Sequence, residues 1–352
     1  MNTLSNLIND RKRTRLGRGK YINSLDAVVI DGEEVFLKSG VTTDYSNYPL
    51  VANTNPAGIS WTQRVLPVNT GWISVTFGNG VFVAVANGSI AATSSDGITW
   101  AQRVLPVSTT WQSVTYGNGV FVAVGYSSAI AATSTDGITW TQRVLPVYAN
   151  WQSVTYGNGV FVAVTYNSTI AATSTDGITW TQRVLPASTV WYSVTYGNGV
   201  FVAIAQNSSI AATSADGITW TQRALPVSTD WWSVTYGNGV FVAIAISSSI
   251  AATSPDGITW TQRVLPVSAI WRSVTYGNGV FVAVAQNSTI AAISPDGITW
   301  TQRVLPVSTN WWSVTYGNGV FVAVANSSSI AATNVPNIGS LTYTPGLYFR
   351  VA

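Results

Sequence analysis

Apolar residues in this chain come in short runs separated by Gly, Asn, Asp and Pro, and the same runs return again and again. Between Trp111 and Leu145 they are Trp111–Tyr116, Val120–Val124, Ile130–Thr133 and Ile138–Leu145. Runs of that length, rich in Val, Ile and aromatic residues and bounded by turn formers, read as β-strands. Gly117-Asn118-Gly119 separates the first two, and these residues tolerate the left-handed backbone that a tight reversal needs. Asp136-Gly137 separates the last two and is a second hairpin signal. Pro146 has no N–H for a ladder and is expected to stop the fourth strand. Four short strands joined by tight turns predict one blade of a propeller.

The segment SVTFGNGVFVA begins at Ser74, and SVTYGNGVFVA begins at Ser113, Ser153, Ser193, Ser233, Ser273 and Ser313, with a spacing of 40 residues apart from one step of 39. A fixed period of that size marks a propeller or a solenoid. Trp opens the first strand seven times, at 72, 111, 151, 191, 231, 271 and 311, and recurs seven times in the fourth, at 61, 100, 140, 180, 220, 260 and 300. These fixed Trp residues are assigned to packing between blades. The series opens on a fourth strand, Ile59–Leu66, and closes on a third, Ile330–Thr333, so the last unit lacks an outer strand. The first strand of the domain can supply it, which removes an open sheet edge and clasps the ring. The expectation is an all-β, seven-bladed β-propeller of four-stranded blades over residues 58–333, closed by the strand 59–66. An open solenoid of the same units is the alternative.

Residues 1–57 and 334–352 lie outside the repeat. Ala27–Ile30 and Glu33–Leu37 flank Asp31-Gly32 and predict a small hairpin. Leu341–Thr344 and Leu347–Val351 alternate like strands, and the two ends are expected to form one attachment module. The segment VFLKSGVTTDYSNYPLV, Val35–Val51, resembles the short element near the start of tailed-phage fibre and collar proteins, ahead of a variable distal domain. That resemblance implies docking to other virion proteins through residues 1–57.

The repeat covers about four fifths of the 352 residues, so one large repeat domain with short ends accounts for the length. Apolar residues make up 47% of the chain but never form a run of the roughly 18 that a spanning helix needs, so no membrane insertion is expected. Charged residues are only 8% and the formal charge is +3, which argues against a nucleic-acid partner. Six basic residues cluster in RKRTRLGRGK, Arg11–Lys20, with no apolar secretory segment after them. The cluster reads as a solvated arm that orders only against a partner. The absence of Cys and His removes thiolate chemistry, imidazole catalysis and His-based metal sites, and no cofactor or metal is expected.

Ser134-Thr135-Asp136-Gly137-Ile138-Thr139-Trp140 recurs with Asp96, Asp176, Asp216, Asp256 and Asp296, and is degraded to Asn55-Pro56-Ala57-Gly58 before the first copy. It resembles the Asp-box of sialidase-like propellers, with one residue fewer between Asp and Trp. A carboxylate at this turn can accept backbone N–H bonds while the Trp packs beneath, a structural staple. The resemblance implies a place on the rim, away from catalysis. A glycosidase needs two carboxyl groups in distinct environments, or a Tyr nucleophile with acid–base partners, around one cleft. Here the Asp residues copy one another apart from Asp230 and the ends, and no Glu follows Glu34. Arg64, Arg103, Arg143, Arg183, Arg223, Arg263 and Arg303 repeat as regularly, unlike the sialidase arginine triad, and are expected to decorate the outer strand. No enzyme activity is expected.

Differences among the units gather in two short stretches. One joins the fourth strand to the next first strand, as in Tyr148-Ala149-Asn150-Trp151-Gln152 and Ser228-Thr229-Asp230-Trp231-Trp232; the other joins the second strand to the third, as in Gly125-Tyr126-Ser127 and Thr165-Tyr166-Asn167. In an up-and-down blade both emerge on one side of the disk. Loops on a rigid frame are where binding residues sit, and the residues here suit recognition. The ligand-binding expectation falls on Tyr126, Tyr148, Gln152, Tyr166, Tyr192, Asp230, Trp232, Arg272 and Trp312. Aromatic faces stack on sugar rings, and Asn and Gln pair with hydroxyls, so a host surface glycan is the expected ligand, with a protein as the alternative. Tyr192, Trp232 and Trp312 are expected near the mouth of the central channel, where truncation to Ala weakens binding without lowering thermal stability. Asp230 and Arg272 fit a salt bridge between adjacent blades as well as they fit a ligand contact. Drift of tolerant loops is the competing account of the variation. The functional expectation is a phage tail fibre, spike or collar fibre protein, located in the virion. The alternatives are a free lectin-like propeller, secreted or cytoplasmic, and a purely structural decoration protein. Assembly as a fibre is compatible with a homo-oligomer, which no residue demands.

Overall fold

The computed structural model describes residues 60–334 continuously, together with the short strands Arg13–Arg15, Tyr21–Ile22, Ala27–Ile30, Glu34–Lys38 and Phe349–Arg350. Its contacts divide the chain into two units, Ala57–Val335 and Met1–Pro56 with Pro336–Ala352. In the smaller unit Ala27–Ile30 and Glu34–Lys38 pair antiparallel, Val28 opposite Phe36, and Tyr21–Ile22 pairs with Phe349–Arg350. The Asp31-Gly32 turn, the segment 39–51 and the expected strand 341–344 lie outside the described residues. Arg13–Arg15, expected in a solvated arm, forms a third strand beside Glu34–Lys38, with Thr14 opposite Leu37. The hairpin leaves one row of N–H and C=O groups of Glu34–Lys38 unpaired, and this strand satisfies it.

The larger unit is a ring of seven four-stranded antiparallel blades. In the third, Trp151–Gly157, Val160–Thr165 and Ser168–Ser174 are followed by Thr181–Gly197, which runs on unbroken as the first strand of the next blade. Val154 faces Ala163, Ala163 faces Ala172 on its other side, and Ala172 faces Gln182. The seventh blade takes its outer strand from the start of the domain, Thr62–Thr70. It pairs with Ser328–Asn334 through Thr62↔Thr333, Gln63↔Ala332, Arg64↔Ala331 and Val65↔Ile330. Asn334 Nδ2 also donates to the Ser60 carbonyl, 2.6 Å away, across this junction.

The turns follow from their residues. Asn118 and Gly119 have φ of 47° and 77°, the pair of left-handed residues that a two-residue hairpin turn requires. At the other turn Asp136 Oδ1 accepts the N–H groups of Ile138 and Thr139 at 2.8 and 2.9 Å, and Ser134 Oγ donates to the same oxygen while accepting from Gly137 N. Trp140 Nε1 donates to the Gly137 carbonyl beneath, at 3.0 Å. With those N–H groups committed to the carboxylate, the outer strand starts at Thr141 and not at Ile138. It also continues through Pro146 to Ala149, contrary to the expected stop. The outer strand has no neighbour on its far side, and Pro146 lies in the stretch where the register slips between Ile130↔Val144 and Ser128↔Ala149, so its missing N–H breaks no ladder.

Seven apolar clusters hold the ring, each shared by two neighbouring blades. One joins Val83, Val85, Ala91 and Leu105 of the first blade to Trp111, Val114, Phe121 and Trp140 of the second. Another joins Val320, Val322 and Val324 of the last blade to Trp72, Val75 and Phe82 of the first. The seven first-strand Trp residues are fully buried in these clusters, which is the packing role their repetition implies. Between inner strands, each Ser Oγ accepts the N–H of a Val in the next blade, from Val114 N on Ser74 to Val75 N on Ser313, the last at 3.2 Å closing the circle. Gly117 permits the close approach. A Cβ there would lie 2.0 Å from the Tyr156 ring of the following blade.

The outer-strand arginines are not free decoration. Arg143 Nε donates to Thr133 Oγ1 at 2.9 Å, and Arg64, Arg103, Arg183, Arg223 and Arg263 repeat the bond on their own third strands. In the sixth blade Ile293 stands where the others have Thr, and Arg303 Nε is buried without a partner.

Two outcomes test this architecture. A chain beginning at Trp72 leaves Ser328–Asn334 as an open edge; it is expected to self-associate in light scattering and to melt earlier, and a peptide spanning residues 60–71 should reverse both. Ile293→Thr supplies the missing acceptor and is expected to stabilise the ring by about 1 kcal/mol, seen as a raised denaturation midpoint.

Candidate functional site: the variable face

The variable residue that follows each fixed Trp occupies a β-bulge. Trp151 pairs with Thr165 and Ser153 with Val164, leaving Gln152 as the extra residue of the inner strand. The same slip occurs at Ile73, Gln112, Tyr192, Trp232, Arg272 and Trp312. A bulge re-aims its side chain out of the ladder, so these seven positions can differ without disturbing strand pairing.

The two variable stretches of a blade are bonded to each other. Val190 pairs with Gln206 and Ile270 with Gln286, while the N–H groups of Tyr166, Ile246 and Asn326 donate to the carbonyls of Asn150, Asp230 and Asn310 at 2.8–2.9 Å. They are extended and hydrogen-bonded segments more than free loops. The Asn-Gly turns and the Asp turns meet at the opposite edge of the blades, where Asn118 Nδ2 donates to the Thr175 carbonyl of the next blade at 3.2 Å. The variable residues therefore share one face.

On that face the bulge residues of the third to seventh blades form one continuous stack. The Gln152 side chain lies beside the Tyr192 phenol. The Tyr192 ring lies 3.8 Å from that of Trp232 at an interplanar angle of 35°. The Arg272 guanidinium then lies between two indoles, 4.2 Å from the Trp232 centroid and 4.1 Å from that of Trp312. Trp232 is covered from both neighbouring blades. Burial pushes the Tyr192 phenol well above its ordinary value, although Arg272 and Gln152 draw it down.

Arg272 is half-buried, and its Nε donates to Gln286 Oε1. Desolvation lowers its pKa, with the nearby Tyr192 acting in the opposite sense. It does not pair with Asp230. Arg272 Nη1, Asp230 Oδ1 and Asn310 Oδ1 are each buried without a hydrogen-bond partner. Asn310 and Gln286 were not singled out by composition, yet both occupy the variable stretches, which was the signal that could have found them.

Two further groups complete the face. Tyr126, which ends the second strand of its blade, and Tyr166, in the turn after the second strand of the next, meet edge to face with centroids 6.5 Å apart. Tyr148 is set apart on an outer strand, 68% exposed, with its hydroxyl 2.9 Å from Ser127 Oγ. Asp96, Asp136, Asp176, Asp216, Asp256 and Asp296 belong to the opposite edge. At Asp216 the N–H groups of Thr219 and then Ile218 hold the carboxyl below its ordinary value, and the other five are lowered as well, although at Asp96 and Asp296 burial is the largest single influence and opposes the shift. Each of these carboxylates is engaged by its own turn.

No family model matches the chain, and no curated protein matches it. Solved structures do share its architecture. Virginiamycin B lyase from Staphylococcus aureus aligns with a TM-score of 0.71 at 12% identity, over 78% of this chain and 98% of that one. YCF48 bound to D1 peptide aligns with a TM-score of 0.65 at 20% identity, over 80% and 99%. The computationally designed Ika8 protein aligns with a TM-score of 0.56 at 8% identity, over 77% and 99%. At these identities the likeness extends to the propeller fold, which an enzyme, a peptide-bound protein and a design hold in common.

The stack alters what truncation of its members does. Trp232→Ala removes an aromatic pair and one side of the guanidinium sandwich, and is expected to cost about 2 kcal/mol in denaturant unfolding. Tyr148→Ala, on its exposed strand, should leave the midpoint within about 0.5 kcal/mol of the parent.

Proposed function

We propose that this protein is a recognition module of a phage virion, of the tail fibre, spike or collar fibre type, whose ring binds a host surface glycan through its variable face. The observation that carries the reading is a contrast within one chain. Seven blades repeat their strands and turns almost residue for residue, while the aromatic and charged departures from the repeat converge on one side, four of them in direct succession. A rigid frame that varies on a single face is the arrangement of a binding surface. The half-buried rings of Tyr126, Tyr166 and Trp312 supply flat apolar surface beside amide and hydroxyl groups, which suits the alternating apolar faces and hydroxyl edges of a sugar.

Binding is preferred to catalysis because the repeated carboxylates are consumed as turn acceptors, leaving Asp230 as the one acid of residues 60–334 outside those turns. The virion assignment rests on the resemblance of Val35–Val51 to the leading segment of fibre and collar proteins, with residues 1–57 as the docking part. A free lectin-like propeller uses the same face and differs only in what the smaller unit attaches to.

The full chain on a glycan array tests the binding. Retention of a defined subset of sugars, reduced by Trp312→Ala and unchanged by Gln142→Ala on the outer strand, is the expected result. Equal retention by both variants would remove the face from the site, and no retention of any sugar would remove the glycan.

A further inference from the structure

Within residues 60–334 the arginines form one regular outer-strand series, and Arg272 stands outside it. It replaces Ile, Gln, Tyr or Trp of the other blades at the bulge. Among residues 60–334 no carboxylate pairs with it, and Asp230, the one acid there outside the Asp turns, carries an unpartnered oxygen of its own. Two indoles cover the two flat sides of the guanidinium, and Gln286 takes Nε, so what is left of its hydrogen-bonding capacity lies on the Nη edge, where Nη1 has no partner.

A half-buried charge without a counterion is an unusual feature, because desolvation penalises it unless hydrogen bonds or an opposite charge offset the loss. The indole sandwich supplies part of that offset and fixes the plane of the guanidinium. It does not saturate the donors at the edge. A planar fork held rigid by its faces, with Nη1 buried and unpartnered at its edge, matches a carboxylate, which accepts two parallel N–H bonds in that plane.

Resting on the glycan-binding reading, we propose that the ligand is acidic, and that Arg272, held between Trp232 and Trp312, binds a carboxylate of a uronic-acid-type sugar. Trp232 and Trp312 position the guanidinium.

The test uses the full chain and three probes: a glucuronate-bearing oligosaccharide, the same sugar with its carboxyl reduced to the alcohol, and a sulfated neutral counterpart. Binding is followed by intrinsic Trp fluorescence and by calorimetry. The glucuronate sugar is expected to bind at least about tenfold more tightly than the reduced one, and to weaken as salt is raised. Arg272→Gln should abolish that preference, and Arg272→Lys, which keeps the charge and loses the fork, should recover only part of it; melting curves of both variants establish that the ring is folded. Equal binding of the acid and its alcohol overturns the carboxylate assignment and leaves glycan recognition standing, as does a preference for the sulfated sugar. Binding of the acid that Arg272→Gln leaves intact overturns the role of Arg272. Absence of binding by all three probes overturns this inference, whereas the wider array described above decides the glycan reading itself.

Discussion

The ring depends on how closely one inner strand can approach the next. At Gly117 the ring of Tyr156 lies where a Cβ would be, and the same contact recurs from Gly78 with Tyr116 round to Gly317 with Phe77. Beside it, a Ser hydroxyl of one blade takes a backbone N–H of the following one, seven times in a closed circle. Each blade thus completes the burial of its predecessor, and none has a self-sufficient core. A unit of this kind tolerates little change along its inner faces, because a substitution in one blade is felt in two.

That constraint explains the distribution of sameness and difference. The Asn-Gly turns, the Asp turns and the buried Val and Ala rows are tied to the neighbouring blade by hydrogen bonds or by contact, and they repeat. Where one such tie is altered the cost is visible: Ile293 in place of Thr leaves Arg303 Nε unsatisfied. The bulge position is free of these ties. Its side chain leaves the ladder, meets its counterparts in adjacent blades, and can be Gln, Tyr, Trp or Arg without moving a strand.

The same freedom lets neighbouring bulges combine into something no single blade encodes. Tyr192, Trp232, Arg272 and Trp312 are 40 residues apart in sequence and in stacking contact in the ring. Their mutual packing makes a firm surface out of positions that are individually variable, with a cation at its centre. Firmness of this sort lowers the entropy lost when a ligand is bound.

The repeat period, the turn residues and the orphaned fourth strand at the start of the series pointed to a seven-bladed ring and its clasp over an open solenoid, because strand pairing within a blade is local and a ring is what leaves no edge strand unpaired. Local chemistry also made the Asp turns legible, since a carboxylate and the N–H groups that it accepts lie within three residues of each other. Strand limits at Trp140 and Pro146 were misjudged because the turn claims N–H groups that propensity assigns to a ladder, and because an outer edge forgives a proline. Which variable residues touch was decided by the tertiary structure alone. The circle sets Arg272 between two indoles and away from Asp230, and places Tyr148 apart from the stack, because angular position around the ring and depth within a blade, not proximity along the chain, determine who meets whom.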